Sequence, residues 1–456
     1  MLINRYHYYK VVFMKKIIYL VASLFLLCAC TDDQGDVMSI EQNADESSLQ
    51  SSKLSLQQAL SYAKMFGSGM EKNDHPESTT RSAVPFSKVV ADVDFYIENG
   101  DTLLYAVNYV NDEGYVLIAG DNSSFPILAH SNMGSLAFSD IPGDSPMAMF
   151  VSAAKERVKD NVEHQTSMDT DYFDNWKDLG RSGYEYEILV NDNEPLAQTR
   201  GRENSSGKKS IYPYTGKELD AWCQEGGYNM SAPNRACIGC PALSIGMLMY
   251  DTSLRTTGNS IVTYPSFDYT DARDLRAVTT VTETSRKLRQ IADKIPGYEW
   301  GRKKDEGSGA SDDAIKSGLR KLGYKNAKYV NYNFETLYKN LSFKGTNSLG
   351  QQTEYNRGVL IAASAYTGRE YVGHIWFCDG YYEQSYTVTK KYRGRVVSSW
   401  TEYDDRIYMN WGWGPDGGNG WYLATDNVWS SSEGNPSVAL KINPIIFVNL
   451  SNYVRP

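Results

Sequence analysis

The chain has 456 residues, 41% of them hydrophobic, which is enough for two or three domains with substantial cores. Its formal net charge of -9 argues against nucleic acid as the main partner. Six cysteines in this length do not make a disulfide scaffold, while 37 glycines and 34 tyrosines point to a turn-rich, partly β protein.

Met14-Lys15-Lys16 opens a charged segment, and Ile17 to Ala29 is an apolar run of signal-peptide length, too short for a comfortable membrane span. The run ends in Leu27-Cys28-Ala29-Cys30, which resembles a bacterial lipobox with Cys30 as the lipidated residue. Residues 14–30 are therefore read as a lipoprotein signal peptide. The expected location is outside the cytoplasm: anchored in the cell envelope, at the outer membrane or cell surface, or secreted after processing. Residues 31–52 are polar and acidic with few large apolar side chains, as in a flexible tether.

Residues 53–190 read as a small α+β unit. Ser55-Leu56-Gln57-Gln58 has capping-box spacing, and Leu56, Ala59, Leu60, Ala63 and Phe66 recur at helical spacing before Gly67. The pattern then changes to strands: Val89 to Ile97, Leu103 to Val110 and Tyr115 to Ala119, joined by Asn- and Gly-rich turns. Phe125 to His130 starts another extended piece, and Pro146 to Val162 returns to helix. His130 and His164 stand alone and are read as structural. A β-meander preceding a thiol-bearing region suggests a propeptide. Residues 191–210 mark the sharpest shift in composition, to a polar, Gly/Ser-containing, basic segment that suits a linker with a processing site.

The chemistry gathers in residues 211–456. In Gly239-Cys240-Pro241, Gly239 permits a tight turn and Pro241 fits the first helical position, which puts Cys240 at the N-cap. The positive end of the helix dipole favours a thiolate there. Among the five histidines only His374 lies beyond residue 200, so it is the one imidazole this region can offer. It lies 134 residues downstream of Cys240, in the range over which papain-like enzymes carry their histidine. Gly373-His374-Ile375-Trp376-Phe377-Cys378 reads as a strand, with His374, Trp376 and Cys378 on one face and an Asp379-Gly380 turn after it. Asn410-Trp411-Gly412-Trp413-Gly414 ends a further strand, and an Asn beside these tryptophans can hold the imidazole in one tautomer.

Together, Gly239-Cys240, Gly373-His374 and Asn410-Trp411-Gly412-Trp413-Gly414 resemble the signatures of streptopain-type cysteine peptidases, secreted bacterial enzymes of papain-like fold. Trp222-Cys223-Gln224 through Tyr228-Asn229 resembles the Gln and Tyr-Asn segment of that family. Ser308-Gly309-Ala310-Ser311 resembles its Gly-Ser loop, and Leu104 to Asn132 its inhibitory prodomain. The resemblance spans about residues 50–450. It implies an α+β chain, with a prodomain at 53–190 acting as an intramolecular inhibitor and a papain-like peptidase domain at 211–456. Cys240 would be the nucleophile and His374 its base. Gln224 would donate to the oxyanion, and Asn410 or Trp411 would position and shield the imidazole. Protein or peptide substrates are implied, and no cofactor or metal.

The chain departs from the family in three places. Pro241-Ala242-Leu243-Ser244 stands where Val-Ala-Thr-Ala is usual. Tyr381 to Asp405 is excess sequence that reads as a β-hairpin turning at Arg393-Gly394 and rimming the cleft. Cys237 adds a Cys-x-x-Cys spacing that also occurs in zinc sites and redox pairs. Two other functional classes share the same residues: a papain-like amidase acting on peptidoglycan peptides, and a catalytically inactive binding or inhibitor protein. Thr284 to Ile295 and Ser311 to Leu322 read as amphipathic helices.

Overall fold

The computed structural model describes residues 53–74, 88–122, 126–164, 175–190, 208–211, 219–255, 274–346, 352–356, 358–366, 371–424, 445–448 and 450. The signal and tether segments, Cys30 included, and residues 191–207 of the linker lie outside them. In chain order the first elements are α1 (Leu56–Asp74), β1 (Val90–Glu98), β2 (Asp101–Tyr109), β3 (Tyr115–Ala119), β4 (Ile127–Ser131), α2 (Pro146–His164), β5 (Tyr184–Val190) and β6 (Lys208–Ile211). After these come α3 (Cys240–Arg255), α4 (Glu283–Lys294), α5 (Asp312–Lys321), β7 (Lys328–Asn331), α6 (Phe334–Leu341), β8 (Ser342–Thr346), β9 (Gln352–Asn356) and β10 (Val359–Tyr366). The last are β11 (Tyr371–Tyr392), β12 (Arg395–Asn410), β13 (Gly420–Leu423) and β14 (Ile445–Val448). Segregated helices on an antiparallel sheet make this an α+β fold.

Local chemistry explains the first helix and its start. Ser55 Oγ accepts from the Gln58 N–H, and Gln58 Oε1 accepts from the Ser55 N–H, a reciprocal capping box. The helix continues through Gly67 and Gly69 to Asp74, beyond the stop that Gly67 suggests, because each glycine costs a helix only about 1 kcal/mol.

One twelve-stranded sheet runs through both halves of the sequence in the order β1-β2-β3-β4-β13-β12-β11-β10-β14-β7. The N-terminal meander joins it where β4 pairs with β13, His130 opposite Trp421. Strand β11 is 22 residues long. Its first part pairs with β10, and the rest of it pairs with β6 and then β5. Asp379-Gly380 does not turn the chain as its composition suggests. It sits at a register shift between Cys378 and Gly380, and the strand runs on. The turn comes at Arg393-Gly394, where φ is 49° and 77°, the left-handed pair that a two-residue hairpin requires.

The hairpin of β11 and β12 does not rim a cleft. Its far end packs into the N-terminal core: Val388 is buried with Tyr62, Tyr105, Val107, Trp176 and Leu179, and Tyr386 and Trp400 pack against them. Alternation along β11 sends Trp376 and Cys378 to one face and Ile375 and Phe377 to the other. The first face packs with α2 and α6, the second with α3, α4 and α5. Helix α3 therefore lies on the sheet beside the residue that follows His374.

Candidate active site

The loop before α3 is fixed from three sides. The Ile238 N–H donates to the Gln224 carbonyl (2.9 Å), Tyr298 Oη donates to the Ile238 carbonyl (2.5 Å), and the Cys237 N–H donates to the Glu306 carbonyl (3.0 Å). Gly239 takes φ +86°, and a Cβ there would lie 2.2 Å from Tyr298 Oη and 2.6 Å from the Ser308 carbonyl oxygen. Only glycine fits this turn. The Gly239 carbonyl accepts the first helical bond from Leu243 (3.1 Å), so Gly239 is the N-cap and Cys240 the first helical residue. That is one position earlier than the Pro241 rule suggests. The Cys240 N–H is still free of an intrahelical partner, as at any helix start.

One turn along α3, Ser244 Oγ donates to the buried Ile375 carbonyl at 2.9 Å. This bond ties the thiol-bearing helix to the strand that carries His374. Burial pushes the Cys240 thiol up to about 11, while the main chain of Ile375 acts to lower it. Desolvation is the largest influence on this thiol and favours its neutral form. Cys240 is half-buried, and all four described cysteines are free. Cys237 Sγ faces Glu225 Oε1 at 3.5 Å. Among the described residues no group of three or more His, Cys, Asp or Glu is placed to hold a metal ion.

His374 is 7% exposed, and its ring lies parallel to Trp376 with centroids 6.2 Å apart. Trp411 in turn packs on Trp376, with centroids 4.8 Å apart. Burial holds the imidazole down to about 4. Its Nε2 lies 2.9 Å from the Trp411 main-chain oxygen. A carbonyl can only accept, so Nε2 carries the proton and Nδ1 keeps the lone pair of a base. At neutral pH the thiol and the imidazole are therefore both uncharged.

The four segments singled out by sequence come together, though not all in the roles expected. The imidazole partner is the main chain of Trp411. The Asn410 side chain turns away from His374: Nδ2 donates to Asp220 (3.3 Å) and Oδ1 accepts from the Gly412 N–H (3.0 Å). Gln224 is half-buried, and its main chain is what braces the loop before α3. The adjoining residues join the tryptophan loop, with Cys223 bridged to Trp413 and the Gly414 N–H donating to the Trp222 carbonyl (2.9 Å). Sequence reasoning missed Asp220, Tyr298, Ser244 and Asn419. Asp220 gives the only local hint, lying four residues before Gln224, but an isolated acid in a polar segment ordinarily reads as surface.

Residues 51–158 match the model of the Spi protease inhibitor family. The match covers α1, the β1–β4 meander and much of α2. A solved fragment of prointerpain A from Prevotella intermedia is similar at 15% identity and a TM-score of 0.47, covering 80% of this chain and 99% of that one. The active interpain A cysteine protease of the same species is similar at 16% identity and a TM-score of 0.33, covering 53% of this chain and 94% of that one. No curated protein matches the sequence.

Proposed function

We propose that the chain is an exported cysteine endopeptidase of streptopain type, made as a zymogen and inhibited by its own N-terminal region. One observation carries the reading. The first residue of a buried helix is a thiol against Ile375, and the neighbouring His374 has its Nε2 held by a main-chain carbonyl at 2.9 Å. The protease-inhibitor match at residues 51–158 supports the inhibitory role of that region. The run ending in Cys30 supports a lipid anchor, and the composition of 191–210 supports processing there.

The chemistry follows from a neutral pair. As Cys240 sulfur attacks the peptide carbonyl, its proton passes to His374 Nδ1. The imidazolium then protonates the departing amine, leaving a thioester. Water, deprotonated by the same nitrogen, releases the acid. The Cys240 N–H and the Gln224 amide would face the oxyanion. The Trp411 carbonyl stabilises the imidazolium by accepting its Nε2–H throughout.

Casein cleavage by the purified chain, before and after removal of the N-terminal region, tests the proposal. Cleavage that rises on removal, with an epoxide inhibitor of cysteine peptidases bound to Cys240, is the expected result. Failure of the epoxide to label Cys240 after removal overturns it. The inhibitor match favours a second reading, an inactive inhibitory protein, which that failure would support. Labelling of Cys240 without casein cleavage would point to an amidase for small peptides.

A further inference from the structure

Asp220 is 3% exposed and lies beneath the loop that holds His374. Three donors converge on it: Tyr408 Oη at 2.9 and 3.0 Å, Asn410 Nδ2 at 3.3 Å and Asn419 Nδ2 at 3.4 Å. The two asparagines pass the restraint on. Asn419 Oδ1 accepts from the Trp411 N–H at 2.8 Å, and Asn410 Oδ1 accepts from the Gly412 N–H at 3.0 Å. The Gly412 N–H and the Trp411 carbonyl are opposite ends of one planar peptide group. Asn410 therefore grips one end of that group while His374 Nε2 bonds to the other at 2.9 Å. The peptide cannot rotate without breaking both bonds. Gly412 takes φ +73°, and a Cβ there would lie 2.8 Å from Leu243 Cδ2 of α3, so a glycine suits this turn.

We propose that Asp220 is a positioning residue for His374, acting through Asn410, Asn419 and the Trp411–Gly412 peptide. The proposal rests on the peptidase reading only for its effect on rate; its effect on the imidazole stands by itself. A carboxylate suits the place because two acceptor oxygens can take all three donors, whereas an asparagine would turn N–H groups toward two amide N–H donors. Burial raises the Asp220 carboxyl to about 7, and its bonds from Tyr408 and Asn419 act to lower it. The site is thus built at a desolvation cost and stabilised by its donors.

The test uses the full chain labelled with 15N at histidine. Of its five imidazoles, the one lost in His374→Gln is His374. In the wild-type chain its Nε2–H is expected to be bonded and slow to exchange with water. In Asp220→Asn and Asp220→Ala the Nε2 resonance should shift and exchange faster, with the other imidazoles in place. Asn419→Ala leaves the carboxylate intact, so it supplies the same readout if the Asp220 variants do not fold. On a peptide substrate kcat should fall by roughly 10²-fold with little change in KM, as for a misplaced catalytic group. A wild-type His374 resonance in folded Asp220→Asn or Asn419→Ala overturns the proposal. An altered resonance in a chain that never turned over substrate keeps it and discards the peptidase reading instead.

Discussion

Strand β12 buries polar groups along its middle and at its inner end, and the two stretches do so differently. In the middle stretch the groups form ion pairs and hydrogen bonds, several of them to residues far away in sequence. Glu402 accepts from the indole N–H groups of Trp176 (2.9 Å) and Trp400 (2.6 Å). Arg406, wholly buried, pairs with Asp404 at 2.9 Å, donates to the Ile127 carbonyl at 2.9 Å and lies 5.2 Å over the Phe66 ring. On the partner strand, Lys390 pairs with Asp178 at 2.6 Å. At the inner end a single carboxylate, Asp220, gathers neutral donors that fix one peptide group beside His374. The middle network dictates which strands meet, because mispairing would strand a buried charge. The inner one dictates the direction of one carbonyl.

That division can be broken by experiment. The largest effect should come from Cys240→Ala and His374→Ala. Each should abolish peptide hydrolysis while leaving the urea midpoint near that of the parent chain, and turnover in either variant removes that residue from the chemistry. Arg406→Met should act on stability alone. It leaves Asp404 buried without its guanidinium, a loss of about 3–5 kcal/mol by urea unfolding. Near-parental activity in the fraction that stays folded is expected; a large drop in kcat at full folding would mean that the two stretches of β12 are not separate. Gln224→Ala should lower kcat by roughly 10²-fold, as for one oxyanion donor. An unchanged kcat takes Gln224 out of the oxyanion site.

The smallest effects are pH dependences, and the buried groups around these two stretches predict them with signs that can be worked out. Burial holds His374 at about 4, and His130, buried near Arg406 and Lys88, is lowered in the same direction. An unfolded histidine titrates near ~6.5. Between that pH and about 4 the unfolded chain binds protons that the folded chain does not, so stability is full above the window and falls as pH falls through it. Asp220, raised to about 7, runs the other way. The folded chain keeps a proton that an unfolded aspartate releases near ~3.9, so this contribution is present at low pH and lost as pH rises toward neutrality. Urea midpoints measured from pH 4 to 7 should show a shallower acid-side loss in His374→Gln and a smaller loss toward neutrality in Asp220→Asn. Parallel curves for a variant and its parent would exclude that group.

Much of the architecture was legible because it is set by neighbours in the chain. Ser55 and Gln58 announce the first helix, turn residues bound β1, β2 and β3, and Arg393-Gly394 turns the long hairpin as read. The segments bearing Cys240, His374, Gln224 and Trp411 were found by residue type and spacing, and the fold brings them to one place. The errors share a cause. The Asp379-Gly380 dipeptide permits a turn, but pairing with β12 on one edge carried the strand through it. The hairpin, taken to rim a cleft, instead buries Val388 against Tyr62 and Trp176.

The sequence by itself determined where the chain must bend and which face of each strand is apolar, since steric limits on φ and side-chain alternation act within a few residues. It also determined that His374 was the imidazole available to Cys240 in the C-terminal region. Only the tertiary structure decided that a Trp411 carbonyl and not the Asn410 amide receives the imidazole proton, that Asp220 holds both asparagines, and that the resting thiol and imidazole are uncharged. These depend on desolvation and on bonds between residues up to 199 positions apart, such as Asn419 to Asp220. Neither quantity leaves a trace in local pattern.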